Sequence, residues 1–436
     1  MSAEMISILV LAVIFVLATT LSINMGALAF AGAFLVGTLA GGLDSDGIFA
    51  GFPGDIFVVL VGVTYLFAIA RANGTTDWLV GAAVRLVGGR IALIPWVMYV
   101  ITAVLTAIGA LSPAACAIVA PIALGFAARY DISPLLMGAM VVHGAQGGGF
   151  SPISVYGSIV NGIVERNDLP GSPTVLFLAS LTMNTAIAAV LYVVLGGTRL
   201  PRRELVKVGA GSDVPSGGSA GSGGDGQDDP LPHERRIPLD APKIATLLGL
   251  VALVVSTLVF ELDAGLTAIT IAVVLSVLWP NSTRKAVSEI TWPTVLLICG
   301  VLTYVGVLQE IGTIEYVGNA VSNVGIPLLA AVLLCYIGGI VSAFASSVGL
   351  MGALIPLALP FLAQGTIGPI GMVAAIAVAS TMVDVSPFST NGALVLANAK
   401  NVDRDRFFKQ LMGYGAIVVA VAPLAAWLVL VVPGWG

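Results

Sequence analysis

Gly147-Gly148-Gly149-Phe150-Ser151-Pro152-Ile153-Ser154 interrupts one apolar run, and Ser386-Pro387-Phe388-Ser389 interrupts another 235 residues later. Serine is a strong N-cap, and proline is favoured at the first helical position, where its missing N–H costs nothing. Ser-Pro therefore announces a helix that begins inside apolar text, and the glycines before Ser151 mark where the preceding helix stops. Ser112-Pro113 carries the same signal. A helix that begins away from water leaves N–H groups unpaired and points the positive end of its dipole into a low-dielectric medium. A carboxylate satisfies both deficits. The alternative is a proline kink whose freed carbonyls are met by neighbouring hydroxyls. Recurrence of the motif at 151 and 386 favours a binding role for that pair.

The surrounding text is membrane protein. Of 436 residues 58% are hydrophobic and only 9% charged, with a mean hydropathy of +1.04. A soluble globule of this size carries roughly a quarter charged residues. The 52 glycines and 23 prolines suit a bundle with broken helices. Cys116, Cys299 and Cys335 lie in apolar runs, which argues against a disulfide framework. No cleavable signal is read at Met1 to Glu4, and no nucleic-acid partner is expected.

Fourteen apolar stretches can be marked between residues 5 and 433. The pairs 92–110/114–128 and 326–345/347–363 have no charged connector between their arms, so each reads as a re-entrant hairpin. Residues 199–243 are Gly-Ser-rich and acidic with basic flanks, a cytoplasmic disordered linker. With the linker inside, 17 of the 18 basic residues fall in the cytoplasm and only Arg166 outside. That sorting supports ten spans plus two hairpins, with both termini outside. The chain then divides into an N-terminal repeat (1–198, hairpin near 92–128), the linker, and a C-terminal repeat (244–436, hairpin near 326–363).

The halves repeat. Ala72-Asn73-Gly74-Thr75-Thr76-Asp77 resembles Glu310-Ile311-Gly312-Thr313-Ile314-Glu315, Pro121 matches Pro356, and Ser151-Pro152-Ile153-Ser154 matches Ser386-Pro387-Phe388-Ser389. Five spans and a hairpin make an odd number of crossings, so the second half is inverted relative to the first. The expected fold is an all-α integral membrane protein of two inverted repeats, each of five transmembrane spans and one re-entrant hairpin, with helices broken at mid-membrane. The stretches after Gly74 and Gly312 read as interfacial helices.

No Lys or Arg is expected near mid-membrane, so an anion must be held by dipoles, hydroxyls and co-bound cations. Asp384 is the one acidic residue beside an apparent break; an intramembrane carboxylate is costly and reads as a cation or proton ligand, the alternative being a neutral, hydrogen-bonded Asp in a packed helix. His143, two turns before Ser151, reads either as a proton carrier or as a satisfied structural histidine. The hairpin tips add Ser112, Ser346 and Ser347, which serve either close helix packing or binding.

Two inverted halves, each with a hairpin followed by a span broken at a Gly/Ser/Thr-Pro motif, resemble the divalent-anion/sodium symporters and the wider ion-transporter superfamily. Gly147-Gly148-Gly149-Phe150-Ser151-Pro152-Ile153-Ser154-Val155-Tyr156-Gly157 resembles the malonate (dicarboxylate) carrier branch. Where that family carries Ser-Asn-Thr at its hairpin tips, this chain has Leu111-Ser112-Pro113 and Ser346-Ser347-Val348. The resemblance implies substrate contacts from Ser112, Ser151, Ser154, Ser347, Ser386, Ser389, Thr390 and Asn391. It implies one cation site from Ser112 with the loop containing Gly148 and Gly149, and another from Ser346 with the loop from Asp384 to Asn391. It further implies homodimers and an elevator-like movement. The reading is a plasma-membrane transporter of a dicarboxylate, malonate or a C4 acid, coupled to Na⁺ or H⁺ and needing no cofactor. Other anions (citrate, sulfate or an oxyanion) and an uncoupled facilitator or exchanger are the alternatives. A channel would need a continuous polar lining, and an enzyme a metal cluster or a nucleophile–base set; the sequence offers neither.

Overall fold

The computed structural model describes residues 2–21, 23–86, 90–200, 238–314, 316, 327–343, 347–362, 365, 367–399 and 403–434. Every regular element among them is helical. Seven helices are long and apolar enough to cross a membrane by length and composition, and six shorter apolar helices accompany them. Most of the proposed linker, 201–237, lies outside the described residues.

The first half runs α1 (Ala3–Thr20), α2 (Met25–Leu39), α3 (Ser45–Ala50), α4 (Gly54–Ala72), α5 (Thr75–Leu86), α6 (Ile94–Ala107), α7 (Ser112–Arg129), α8 (Pro134–Gly148), α9 (Val155–Arg166) and α10 (Pro173–Val194). The second runs α11 (Ala241–Leu258), α12 (Ala264–Leu278), α13 (Trp292–Glu310), α14 (Pro327–Ser342), α15 (Ser347–Leu362), α16 (Pro369–Met382), α17 (Thr390–Ala397) and α18 (Arg404–Ala426). Aspartates start helices where the chain turns in polar text: Asp44, Asp240, Asp263 and Asp403 each accept from a backbone N–H of α3, α11, α12 and α18. Helix α11 begins at Ala241, three residues before the boundary read from composition.

The halves interlock reciprocally. Helix α2 packs on α13 while α4 packs on α12, and α7 packs on α17 while α15 packs on α9. The first two crossings are close enough to need glycine. A Cβ on Gly26 would be driven into the Leu296 carbonyl and one on Gly300 into that of Gly26. At the other crossing, a Cβ on Gly62 would strike the Gly265 carbonyl, and one on Gly265 the Val59 backbone. Small residues that let backbones meet supply the dispersion contact that lipid cannot. Gly74 and Gly312 turn the chain after α4 and α13 with φ of +76° and +82°, and α5 follows the first of them.

Arms α6 and α7 form one hairpin, turned by Gly109 at φ +118°. Arms α14 and α15 form the other, and residues 344–346 of its tip, Ser346 included, lie outside the described residues. The first tip abuts the first helix break, where Ser151 Oγ donates to the Ala107 carbonyl at 2.5 Å.

The breaks themselves correct the sequence reading. The half-helices do not start at Pro152 and Pro387. They start three residues later, at Val155 and Thr390, and the N-caps are Ser154 and Ser389. Ser154 Oγ donates to the carbonyls of Gly149 (2.5 Å) and Ser151 (2.7 Å) and accepts from Gly157 N (3.2 Å). Ser389 Oγ donates to the carbonyls of Asp384 (2.6 Å) and Ser386 (2.8 Å) and accepts from Gly392 N (3.4 Å). Each hydroxyl so closes both ends of its interruption, an arrangement Ser151 and Ser386 are too early in the chain to make. The helix before Ser151 stops within the glycine run. Gly148 ends α8, and a Cβ there would strike the Ala103 carbonyl of α6.

A Cβ on Gly157 or Gly392 would be driven into the carbonyl of Ser151 or Ser386. Gly157→Ala and Gly392→Ala are each expected to cost about 1–3 kcal/mol, read as a lowered melting temperature of the detergent-purified protein. Gly413→Ala on α18, where a Cβ meets nothing within 4 Å, should leave the melting temperature unchanged.

Candidate functional site

The two breaks face a common polar centre. Asp384 sits in the 3-10 turn Val383–Val385 that ends α16 and is 5% exposed. Its Oδ1 accepts from Ser347 Oγ at 2.6 Å, and its Oδ2 accepts from Gln146 Nε2 at 2.8 Å. Ser342, at the end of the other hairpin arm, donates to Ser347 at 2.8 Å. The carboxylate is thus held by the second hairpin and by the last turn of α8 in the opposite half. No ion pair to Asp384 occurs among the described residues.

A second cross-connection lies beside it. Asn391, in the first turn of α17, donates through Nδ2 to Ser112 Oγ at 2.8 Å. Ser112 is the first residue of α7, so the first hairpin touches the second break. The Tyr156 side chain lies beside Ser112 and within reach of the Asp384 charge. Resemblance assigned Ser112 and Asn391 to separate cation sites; here they share a hydrogen bond. Both helix dipoles, at Val155 and Thr390, start in this region.

Other expected residues have different occupations. The hydroxyls of Ser151, Ser154 and Ser389 are spent on backbone groups, as described above, and Ser386 Oγ accepts from Phe388 N at 3.3 Å. Thr390 is exposed, whereas its neighbour Asn391 is buried. Gly148 and Gly149 are buried against α6 and α8 neighbours. Ser347 is the hairpin residue that reaches Asp384. Sequence reasoning missed Gln146, which is fully buried one residue before the glycine run. An amide in the same apolar text as that run was the available signal.

His143 is fully buried one turn earlier on α8. Its Nδ1 lies 2.8 Å from Asn184 Oδ1 and its Nε2 lies 2.5 Å from the Tyr414 hydroxyl. Asn184 Nδ2 donates to the Ser180 carbonyl at 2.9 Å, so Asn184 Oδ1 is the acceptor for Nδ1–H. Nε2 is then left to accept from Tyr414. Both nitrogens are satisfied in the neutral tautomer, with no carboxylate among their partners. A second proton would have to turn the Tyr414 hydroxyl and bring an unpaired charge into the interior. The geometry supports the structural of the two readings of His143: it ties α8 to α10 and α18. Ser180 extends the tie by donating to the Gln146 carbonyl at 2.9 Å.

Two cavities border the hairpins, one against each. One of about 40 Å³ lies under the first hairpin tip, lined by Ala110, Leu111, Thr64 and Thr76, with the Arg71–Glu289 ion pair (2.8 Å) at its edge. The other, about 300 Å³, is lined by Ile163, Asn167, Gln309 and Pro356, with Arg166 paired to Asp55.

His143→Leu strands the Asn184 oxygen and the Tyr414 hydroxyl and is expected to destabilise by about 1–3 kcal/mol. Tyr414→Phe, which removes one bond and no apolar contact, should cost less. Melting temperatures of the two purified variants against the parent check the order.

Residues 1–149 match the family model described as the N-terminus of the dicarboxylate carrier protein MatC. No curated protein matches the chain by sequence. Among solved structures, the chain is similar to the crystal structure of the YdaH transporter of Alcanivorax borkumensis, reported to have an unusual topology. The TM-score is 0.57 at 16% identity, with 88% of this chain and 89% of that one covered. The chain therefore combines a match to the dicarboxylate carrier N-terminus over its first third with the fold of a transporter.

Proposed function

We propose that this protein is a secondary active transporter that carries a small dicarboxylate across the cell membrane by cation-coupled symport. The observation that carries the proposal is Asp384: a buried carboxylate without an ion pair among the described residues, set between two helix breaks. An unpaired buried charge is expensive, so the site favours an arriving cation or proton. Once neutralised, it no longer repels an anionic substrate drawn to the N-termini of α9 and α17. Each ligand then favours the other, which is the coupling free energy a symporter requires. The match of residues 1–149 to the dicarboxylate carrier family supports malonate or a C4 acid over citrate, sulfate or another oxyanion.

In this reading the halves are inverted repeats, the linker is cytoplasmic and both termini are outside. Helices α2, α4, α12 and α13 form a scaffold locked by the glycine crossings. The hairpins with their broken helices form the body that moves past it, as an elevator, within a homodimer. The two cavities lie where these parts meet and mark routes to either side.

The test is uptake of radiolabelled malonate into proteoliposomes under an inward Na⁺ gradient, an inward H⁺ gradient or neither, with succinate, citrate and sulfate as competitors. Accumulation above equilibrium is expected under one gradient, which names the coupling ion. Asp384→Asn should reduce that accumulation at least tenfold, about 1.4 kcal/mol or more of lost coupling. Equilibration without accumulation under both gradients would overturn symport.

A further inference from the structure

Two buried carboxamide oxygens lack a hydrogen-bond partner among the described residues, and both belong to the polar centre: Gln146 Oε1 and Asn391 Oδ1. Both residues are 0% exposed. Other interior amides are served; Asn184, for example, uses its oxygen on His143 and its nitrogen on Ser180. A buried acceptor with no donor is costly. Gln146, bonded through its nitrogen to the Asp384 carboxylate, and Asn391, seven residues further along the same break, offer two such acceptors, the donor type preferred by hard cations.

We infer that Gln146, Asp384 and Asn391 form a single monovalent-cation site shared by the two halves of the chain, with Gln146 as an unassigned ligand. The inference rests on the transport reading above and departs from the two separate cation sites that the family resemblance implies. Gln146 Nε2 donates to Asp384 Oδ2 at 2.8 Å. A half-turn of the amide presents Oε1 beside that carboxylate oxygen, and the two then share a cation. Ser347 holds the other carboxylate oxygen, fixing its direction. Asn391, held through its nitrogen by Ser112, keeps its oxygen free. One carboxylate balances one positive charge, so a monovalent ion leaves the site neutral and a divalent ion does not.

The repeat explains why there is one site here. The breaks share a backbone pattern at an offset of 235, yet Asp384 corresponds to Gly149, Asn391 to Tyr156 and Gln146 to Thr381. Gly149 has no side chain to ligate with, and Thr381 Oγ1 donates to carbonyls of its own helix at 3.1 and 3.2 Å. The mirror-image set of ligands is therefore absent.

The test measures the melting temperature of the full-length purified protein as NaCl replaces choline chloride at constant ionic strength. The parent is expected to be stabilised with a saturable Na⁺ midpoint. Gln146→Ala and Asn391→Ala should each raise that midpoint about tenfold or more, the usual effect of losing one group at a metal site. Gln146→Glu keeps the size, adds a second anionic ligand, and should lower it; this variant decides the matter if the alanine variants do not fold. Absence of a Na⁺ effect on the parent, or midpoints unchanged in the variants, overturns the inference. Na⁺-driven malonate uptake with unshifted midpoints removes the site and leaves the transporter. Shifted midpoints without uptake leave the site and remove the transport reading.

Discussion

A helix interrupted in an apolar interior must find partners for backbone groups that water cannot reach, and the polar centre of this protein depends on how that is done. One serine hydroxyl per break does it. Ser154 and Ser389 each give a proton to the preceding turn and take one from the turn that follows. The half-helices α9 and α17 can then begin without solvent, and Gly157 and Gly392 leave the space the tight return needs. Because the backbone serves itself, the side chains of Asp384, Gln146 and Asn391 are released for other work.

The general architecture was legible because it is written in repetition and in the near absence of charge. Repeat offsets placed the breaks correctly, and Asp384 stood out because a lone acid in apolar text is rarely idle. The helix starts were misplaced by three residues because Ser-Pro is the stronger local signal. A hydroxyl three residues before a glycine N–H closes the turn better than the earlier serine can. Gln146 was hidden for another reason: its counterpart in the other half, Thr381, spends its hydroxyl on its own helix, so repetition could not point to it. The close crossings at Gly26, Gly62, Gly265 and Gly300 were equally silent, since glycine in membrane text serves many ends and only the partner backbone shows which.

Symmetry and chemistry are divided between backbone and side chain. The two breaks share caps, turns and crowded glycines, while the groups that project from them differ at each equivalent position. Two breaks of like backbone thereby hold an unsymmetrical centre, in which the acid comes from one half and an amide from the other. The buttress from Tyr414 through His143 to Asn184 supports α8 just behind that amide, and it too is built from unlike residues on α10 and α18.

The reciprocal crossings of α2 with α13 and α4 with α12 also govern how the chain is made. Gly265 and Gly300 emerge from the ribosome more than 200 residues after Gly62 and Gly26, a delay of about 10–50 s at roughly 5–20 residues per second. Throughout that interval α2 and α4 lack the partners that fill those crossings. Helices α6, α7, α8 and α10 can meanwhile pack on one another within the first half. A chain cut short within the linker leaves the insertion machinery with two orphaned helices, a natural point for quality control to recognise unfinished protein.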